Sequence, residues 1–151
     1  MAVDHGWALL AHNRGAGLLM AGLPEHLLSP PLNVLRASLH PEGLAPHIVN
    51  LAQWRAHLLA RLARQAAVTG DPALRTLHEE LAAYPAPPDG GEPVNEVAVP
   101  LRLRTPLGEL RFLSTVTTFG TPVDITVEEL SIETFFPADP ATAEALRRAV
   151  G

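Results

Sequence analysis

The stretch Val97–Phe119, VAVPLRLRTPLGELRFLSTVTTF, decides the fold. Val97, Val99, Leu101 and Leu103 alternate with Pro100, Arg102 and Arg104, the period of two that marks a strand with one face buried. Thr105-Pro106-Leu107-Gly108 carries turn chemistry. Glu109–Phe119 then resumes the alternation with Leu110, Phe112 and Val116 on one face, so the stretch predicts an antiparallel hairpin. Pro100 has no amide to donate and puts the first strand at a sheet edge.

Downstream, Phe119–Asp124 reads as a turn region. Ile125 and Val127 hold one apolar phase, whereas Leu130, Ile132, Thr134 and Phe136 hold the other, so the register must break near Glu128-Glu129. A last strand is expected at about Glu129–Phe136, and Asp139 caps a closing helix, Pro140–Val150.

Upstream, PAPPDGGEP, Pro85 to Pro93, holds neither helix nor ladder and reads as an exposed connector between a helical half and a strand half. In the helical half the most periodic segment is Asn50–Thr69. There Asn50 can cap, Leu51, Trp54, Leu58, Leu62 and Ala66 recur at helical spacing, and Gly70 ends the run. Asp71-Pro72 opens another helix through Tyr84, with Leu74, Leu77 and Leu81 on one face. Shorter helices are expected at Arg14–Met20 behind Asn13, at Glu25–Leu28, and from Asn33 to His40 before Pro41 and Gly43. At the start, Asp4-His5-Gly6 separates two candidate strands, Ala2–Asp4 and Trp7–His12. Periodicity by itself supports an α+β class. Two short strands, several helices and three longer antiparallel strands follow the order of a PAS-like five-stranded antiparallel sheet with helices packed over one face.

With 151 residues, one domain can bury an ordinary core without staples. There is no cysteine, which excludes disulfides, thiolate zinc sites and cysteine nucleophiles and fits a cytoplasmic setting. The opening residues carry Asp4 and two histidines where a signal peptide needs a basic and then an apolar run. No apolar run reaches the roughly 20 residues that span a bilayer. The net charge of −5 argues against a phosphate-gripping surface and therefore against DNA binding by these residues.

Catalytic signatures are missing. Gly15-Ala16-Gly17 has Met20 where a dinucleotide loop needs its third glycine, and close helix packing explains the glycines better. No two of the seven histidines stand three or four apart as helical metal ligands do, so no metal or cofactor is expected. The serines fall in no nucleophile motif, and the pairs Glu79-Glu80 and Glu128-Glu129 read as solvated carboxylates. One residue stands out. Arg55 falls about 40° from Leu51 on the helical wheel, inside the apolar stripe, whereas Arg61, Arg64 and His57 fall outside it. An arginine aimed at a core snorkels, pairs with an acid, or meets an anionic ligand.

The succession Trp7…Asn13-Arg14, Asn33-Val34-Leu35-Arg36…His40-Pro41 and Ile48-Val49-Asn50-Leu51…Trp54…Leu58-Leu59-Ala60-Arg61-Leu62 resembles the ligand-binding domain of MmyB-like transcription regulators. The likeness continues through Gly108-Glu109-Leu110 and Phe119-Gly120-Thr121-Pro122 to Phe135-Phe136-Pro137-Ala138-Asp139, nearly the whole chain. The resemblance implies a PAS-like sensor attached to an XRE-type helix-turn-helix reader, some sensors of this kind holding a fatty-acid-like molecule between helices and sheet. These residues contain no helix-turn-helix, so 1–151 are expected to form a single sensor domain that reaches DNA only through another segment. The pocket is expected between Asn50–Thr69 and the C-terminal hairpin, walled by Trp54, Leu58, Leu62, Phe112 and Phe119. Arg55 is the first candidate for a ligand carboxylate, with Arg36 and Asn13 behind it. The competing expectation is an interaction or homodimerisation module with a filled core. A third, enzymatic reading would need converging titratable groups that the sequence does not display.

Overall fold

The computed structural model describes residues 1–88, 98–119 and 130–151. Its five strands are β1 (Ala2–Val3), β2 (Leu9–Ala11), β3 (Leu101–Thr105), β4 (Gly108–Thr118) and β5 (Ser131–Pro137). They form one antiparallel sheet in the order β2-β1-β5-β4-β3. The helices are α1 (Arg14–Met20), α2 (Glu25–Leu28), α3 (Val34–Leu39), α4 (Leu51–Thr69), α5 (Pro72–Ala83) and α6 (Pro140–Val150), with a 3-10 turn at Ala45–His47. This is an α+β, PAS-like arrangement with the helices over one face of the sheet.

The first hairpin is shorter than its apolar residues suggest. The Asp4 carboxylate accepts from the amides of Gly6 and Ala8, both at 2.9 Å, which draws the chain into a tight turn. Trp7 adopts the left-handed region at φ 68°, a strained conformation for a bulky residue, and therefore cannot continue a strand. Its burial and a 2.7 Å bond from its indole N–H to Gln65 Oε1 hold it there.

Asn50 does not cap α4. Its side-chain amide donates to the Pro100 carbonyl at 2.7 Å and its oxygen accepts from the Arg102 amide at 3.1 Å, so it covers the outer edge of β3. Val49 completes that cover by donating to Arg102 O. The edge of the sheet is thus occupied within the chain. β3 begins at Leu101, after Pro100, rather than near Val97, which lies outside the described residues. The phases of Ile125 and Val127 and the pair Glu128-Glu129 also lie outside them.

The phase of β5 is opposite to its apolar pattern. The register pairs Phe112 with Pro137, Ser114 with Phe135 and Val116 with Glu133, so Glu133 and Phe135 share the helix-covered face with Phe112. Phe135 meets Phe112 edge to face at 6.2 Å, whereas Phe136 is 51% exposed opposite Leu113 on the outer face. Alternation cannot reveal this, because a buried carboxylate occupies a position that should be apolar. Between sheet and helices the core joins Trp54, Leu58, Leu62 and Ala66 of α4, Leu74, Leu77 and Leu81 of α5, and Leu101, Leu103, Leu110 and Phe112 of the hairpin.

Candidate ligand-binding site

Among the described residues, two of the cavities lie on the helix-covered side of the sheet. The larger, about 500 Å³ and partly open, is bounded by Leu18 and Leu19 of α1, the Gly43–His47 segment, the β3–β4 hairpin and Leu146 and Ala149 of α6. Its walls are apolar apart from His47, Arg104 and Thr105. Such a volume falls within the roughly 300–1,000 Å³ of small-molecule sites, which typically combine greasy walls with a few polar groups. The smaller, about 50 Å³, reaches inward to Trp54 and Leu58 of α4, Ser38, Phe135 and Glu133. Leu19, Leu23 and Leu44 line both and separate them.

Local structure explains why the large space persists. α1 is only seven residues long, begins where the Asn13 side chain accepts from the Ala16 amide at 2.9 Å, and brings Leu18 and Leu19 over the hairpin. α6 starts where Asp139 accepts from the Thr142 amide at 2.7 Å, and the Thr142 hydroxyl in turn accepts from the Arg111 amide at 3.0 Å, which fastens α6 to the base of β4. The two helices touch each other and leave the tip of the hairpin uncovered. Leu107, at that tip, is 54% exposed.

Arg104 faces Glu109 across the hairpin, but the Glu109 carboxylate binds Arg102 at 2.7 Å and Arg111 at 3.0 Å instead. Among the described residues Arg104 makes no ion pair. Arg104 shares with Glu109 the sheet face opposite Leu103 and Leu110, and it contributes to the lining of the hollow at the hairpin. A guanidinium beside an apolar hollow is suited to an anionic headgroup.

The residues singled out from sequence fall in several places. Trp54 and Leu58 line the inner cavity, and the Trp54 indole donates to Ser38 Oγ at 3.0 Å. Leu62 and Phe112 are packed into the core, 0% and 2% exposed, away from both cavities. Phe119 follows β4 and is 40% exposed. Asn13 caps α1. Arg36 donates twice to Glu80, at 2.6 and 2.8 Å, and Glu80 also accepts from the Tyr84 hydroxyl. This pairing holds the Glu80 carboxyl down at about 2, against desolvation. Arg55 turns toward α5 and donates to the Ala82 carbonyl at 2.6 Å, borders neither cavity, and leaves its Nε buried without a partner among the described residues. The expected pocket between α4 and the hairpin is therefore mostly filled.

The arginine that turns inward is Arg61. It meets Glu133 at 3.2 Å and lies 4.5 Å from the centre of the Trp7 ring. Burial pushes the Glu133 carboxyl up, opposed by Arg61 and the terminal amine. Burial also lowers the His57 imidazole, with help from Arg61 and Arg64, while its ring stacks on Trp54. On the wheel Arg61 lies only about 20° from Trp54, at the edge of the stripe. Reading β5 in the opposite phase concealed its acid. Arg104 was visible only as the polar half of an alternating strand.

A PAS-like sheet with a greasy, partly open hollow bordered by its flanking helices defines a small-molecule-binding domain. The whole of residues 1–149 matches the MmyB-like transcription regulator ligand binding domain, and the chain belongs to that family. Neither a curated protein nor a solved structure matches it. Among the described residues no helix is long and apolar enough to cross a membrane.

Proposed function

We propose that this chain is the sensor of a cytoplasmic transcription regulator and that it takes an apolar-chain acid, fatty-acid-like, into the cavity between α1, the β3–β4 hairpin and α6. The single observation supporting this is the character of that cavity: about 500 Å³, apolar on nearly every wall, with Arg104 and His47 among its few polar lining residues. The chain segment of the ligand would lie against Leu18, Leu107, Leu110 and Leu146. Its carboxylate would meet Arg104 at the hairpin; Arg55 is the cation of the alternative placement, in which the headgroup lies on α4 outside this cavity. Residues 1–151 act as one sensing unit that performs no chemistry, and DNA is reached only through a helix-turn-helix supplied elsewhere.

The competing reading is an interaction or homodimerisation domain. What favours it is the outer sheet face, where Leu113 and Phe136 pair across β4 and β5 at 40% and 51% exposure. Calorimetric titration of dodecanoate and dodecanol into wild type, Arg104→Ala and Arg55→Ala separates these readings. The expected result is an acid affinity about tenfold lower in Arg104→Ala, as for one charge-assisted hydrogen bond, with little change for the alcohol. Arg55→Ala should chiefly lower stability, because it removes the bond to Ala82. Absence of binding by wild type would favour the interaction reading, and selective loss of the acid in Arg55→Ala would move the headgroup to α4.

A further inference from the structure

Three ligating side chains meet outside the cavities. His26 in α2, His40 directly after α3 and Glu42 in the turn that follows each offer one ligand atom, all within 4.8 Å of one another. His26 Nε2 and Glu42 Oε2 are 3.6 Å apart. Tetrahedral zinc, with bonds of roughly 2.0–2.2 Å to nitrogen and oxygen, spaces its ligands about 3.4 Å apart, so that pair already stands near coordination distance. The third group is held from its other side as well. The His40 ring lies edge-on to His26 at 5.7 Å and to Tyr84 at 5.1 Å, and Tyr84 is anchored by its hydroxyl to Glu80.

We propose that His26, His40 and Glu42 bind a divalent cation of the zinc type, with water in the fourth position. Two imidazoles and one carboxylate, without thiolates and without a cage of oxygens, suit zinc and its first-row neighbours rather than calcium or magnesium. A surface ion pair would require only His26 and Glu42, and it does not account for a third ligand atom, from His40, within 4.8 Å of both. The spacing escapes a helical-ligand search because the residues come from a short helix, a helix end and a turn.

Coordination has a local consequence. His40 Nδ1 accepts from the Glu42 amide at 3.0 Å, so in the neutral ring the proton resides on Nε2. If Nδ1 binds the metal, its lone pair leaves the amide; if Nε2 binds it, the proton moves to Nδ1. Either way the bond to the Glu42 amide ends. That amide is thus a built-in reporter, in the segment just before Gly43 and Leu44 of the cavity wall.

The test uses the tag-free chain, titrated with zinc chloride by calorimetry at about pH 7.5, where imidazoles are available as ligands, alongside amide NMR. One equivalent should bind, with the Glu42 amide among the most strongly shifted. His26→Ala and Glu42→Gln, both at exposed positions that the fold does not need, should each weaken binding by at least about tenfold, since even outer-shell partners of metal sites typically matter that much. His12→Ala, at an exposed histidine elsewhere, should leave it unchanged. No saturable one-equivalent binding by wild type, or binding that both His26→Ala and Glu42→Gln leave intact, would overturn the proposal. Neither result bears on the apolar cavity.

Discussion

The ground beneath α4 and the ground beneath α1 and α6 are made from the same residue types and end up differently. Beneath α4, a nineteen-residue helix sets Trp54, Leu58, Leu62 and Ala66 four apart and lays them on Leu101, Leu103 and Phe112. Large side chains in a regular array leave only about 50 Å³. At the other end, a seven-residue helix and α6 bridge the hairpin with leucines and alanine, and about 500 Å³ remains. Regular periodicity marks where a chain packs, and packing to crystal-like density is what removes room for a ligand. The hollow forms where short elements meet at irregular angles.

The sharpest way to break this contrast is to open the filled side. Leu62→Ala, at a position with no exposure, should cost about 2–5 kcal/mol in denaturant melts through lost transfer energy and the cavity left behind. Acid affinity in the folded fraction should not change, because Leu62 borders neither cavity. A loss of affinity matching the loss of stability would mean that the two regions are one.

The converse change fills the hollow side. Ala149 lines the large cavity on an exposed turn of α6, so Ala149→Trp should leave stability within about 0.5 kcal/mol, as for most surface substitutions. It should weaken dodecanoate about tenfold or more, equivalent to about 1.4 kcal/mol, by occupying the space the chain would use. Unchanged affinity would place the ligand elsewhere.

The filled side also carries a charged lock between α3 and α5, in Arg36, Glu80 and Tyr84. Pairing with Arg36 puts the folded Glu80 carboxyl at about 2, below its ordinary 4.5. A depressed carboxylate contributes stability that is fully present above its unfolded value, so this share should fade as pH falls from about 4.5 toward 2. Since the Glu80 side chain is 36% exposed, screening reduces the effect to about 1 kcal/mol. Comparing acid unfolding of wild type with Glu80→Gln should show that share missing from the variant. Parallel curves would show that the lock contributes nothing.

How far the sequence could be read follows the same division. The α4 and α5 stripes, the hairpin around Thr105–Gly108 and the caps at Asn13, Asn33, Asp71 and Asp139 are local, and each is present. The PAS-like order of strands followed from element succession together with family likeness. What was hidden depends on partners distant in the chain. Asn50 has the chemistry of a cap but is drawn to β3, 50 residues away. Glu133 is an acid in a buried strand position only because Arg61 is there to meet it, 72 residues away. The cavity is hidden for a stronger reason: a void has no residues of its own, and Leu18, Gly43, Leu107 and Leu146 share no periodicity.

The most direct measurement of the central claim is an isotope-filtered NOE experiment on the labelled chain with unlabelled dodecanoate, reading which methyl groups touch the alkyl chain. The account predicts contacts to Leu18, Leu107, Leu110 and Leu146, around the large cavity. Contacts confined to Leu62 and the α4 side, or none at ligand saturation, would contradict it.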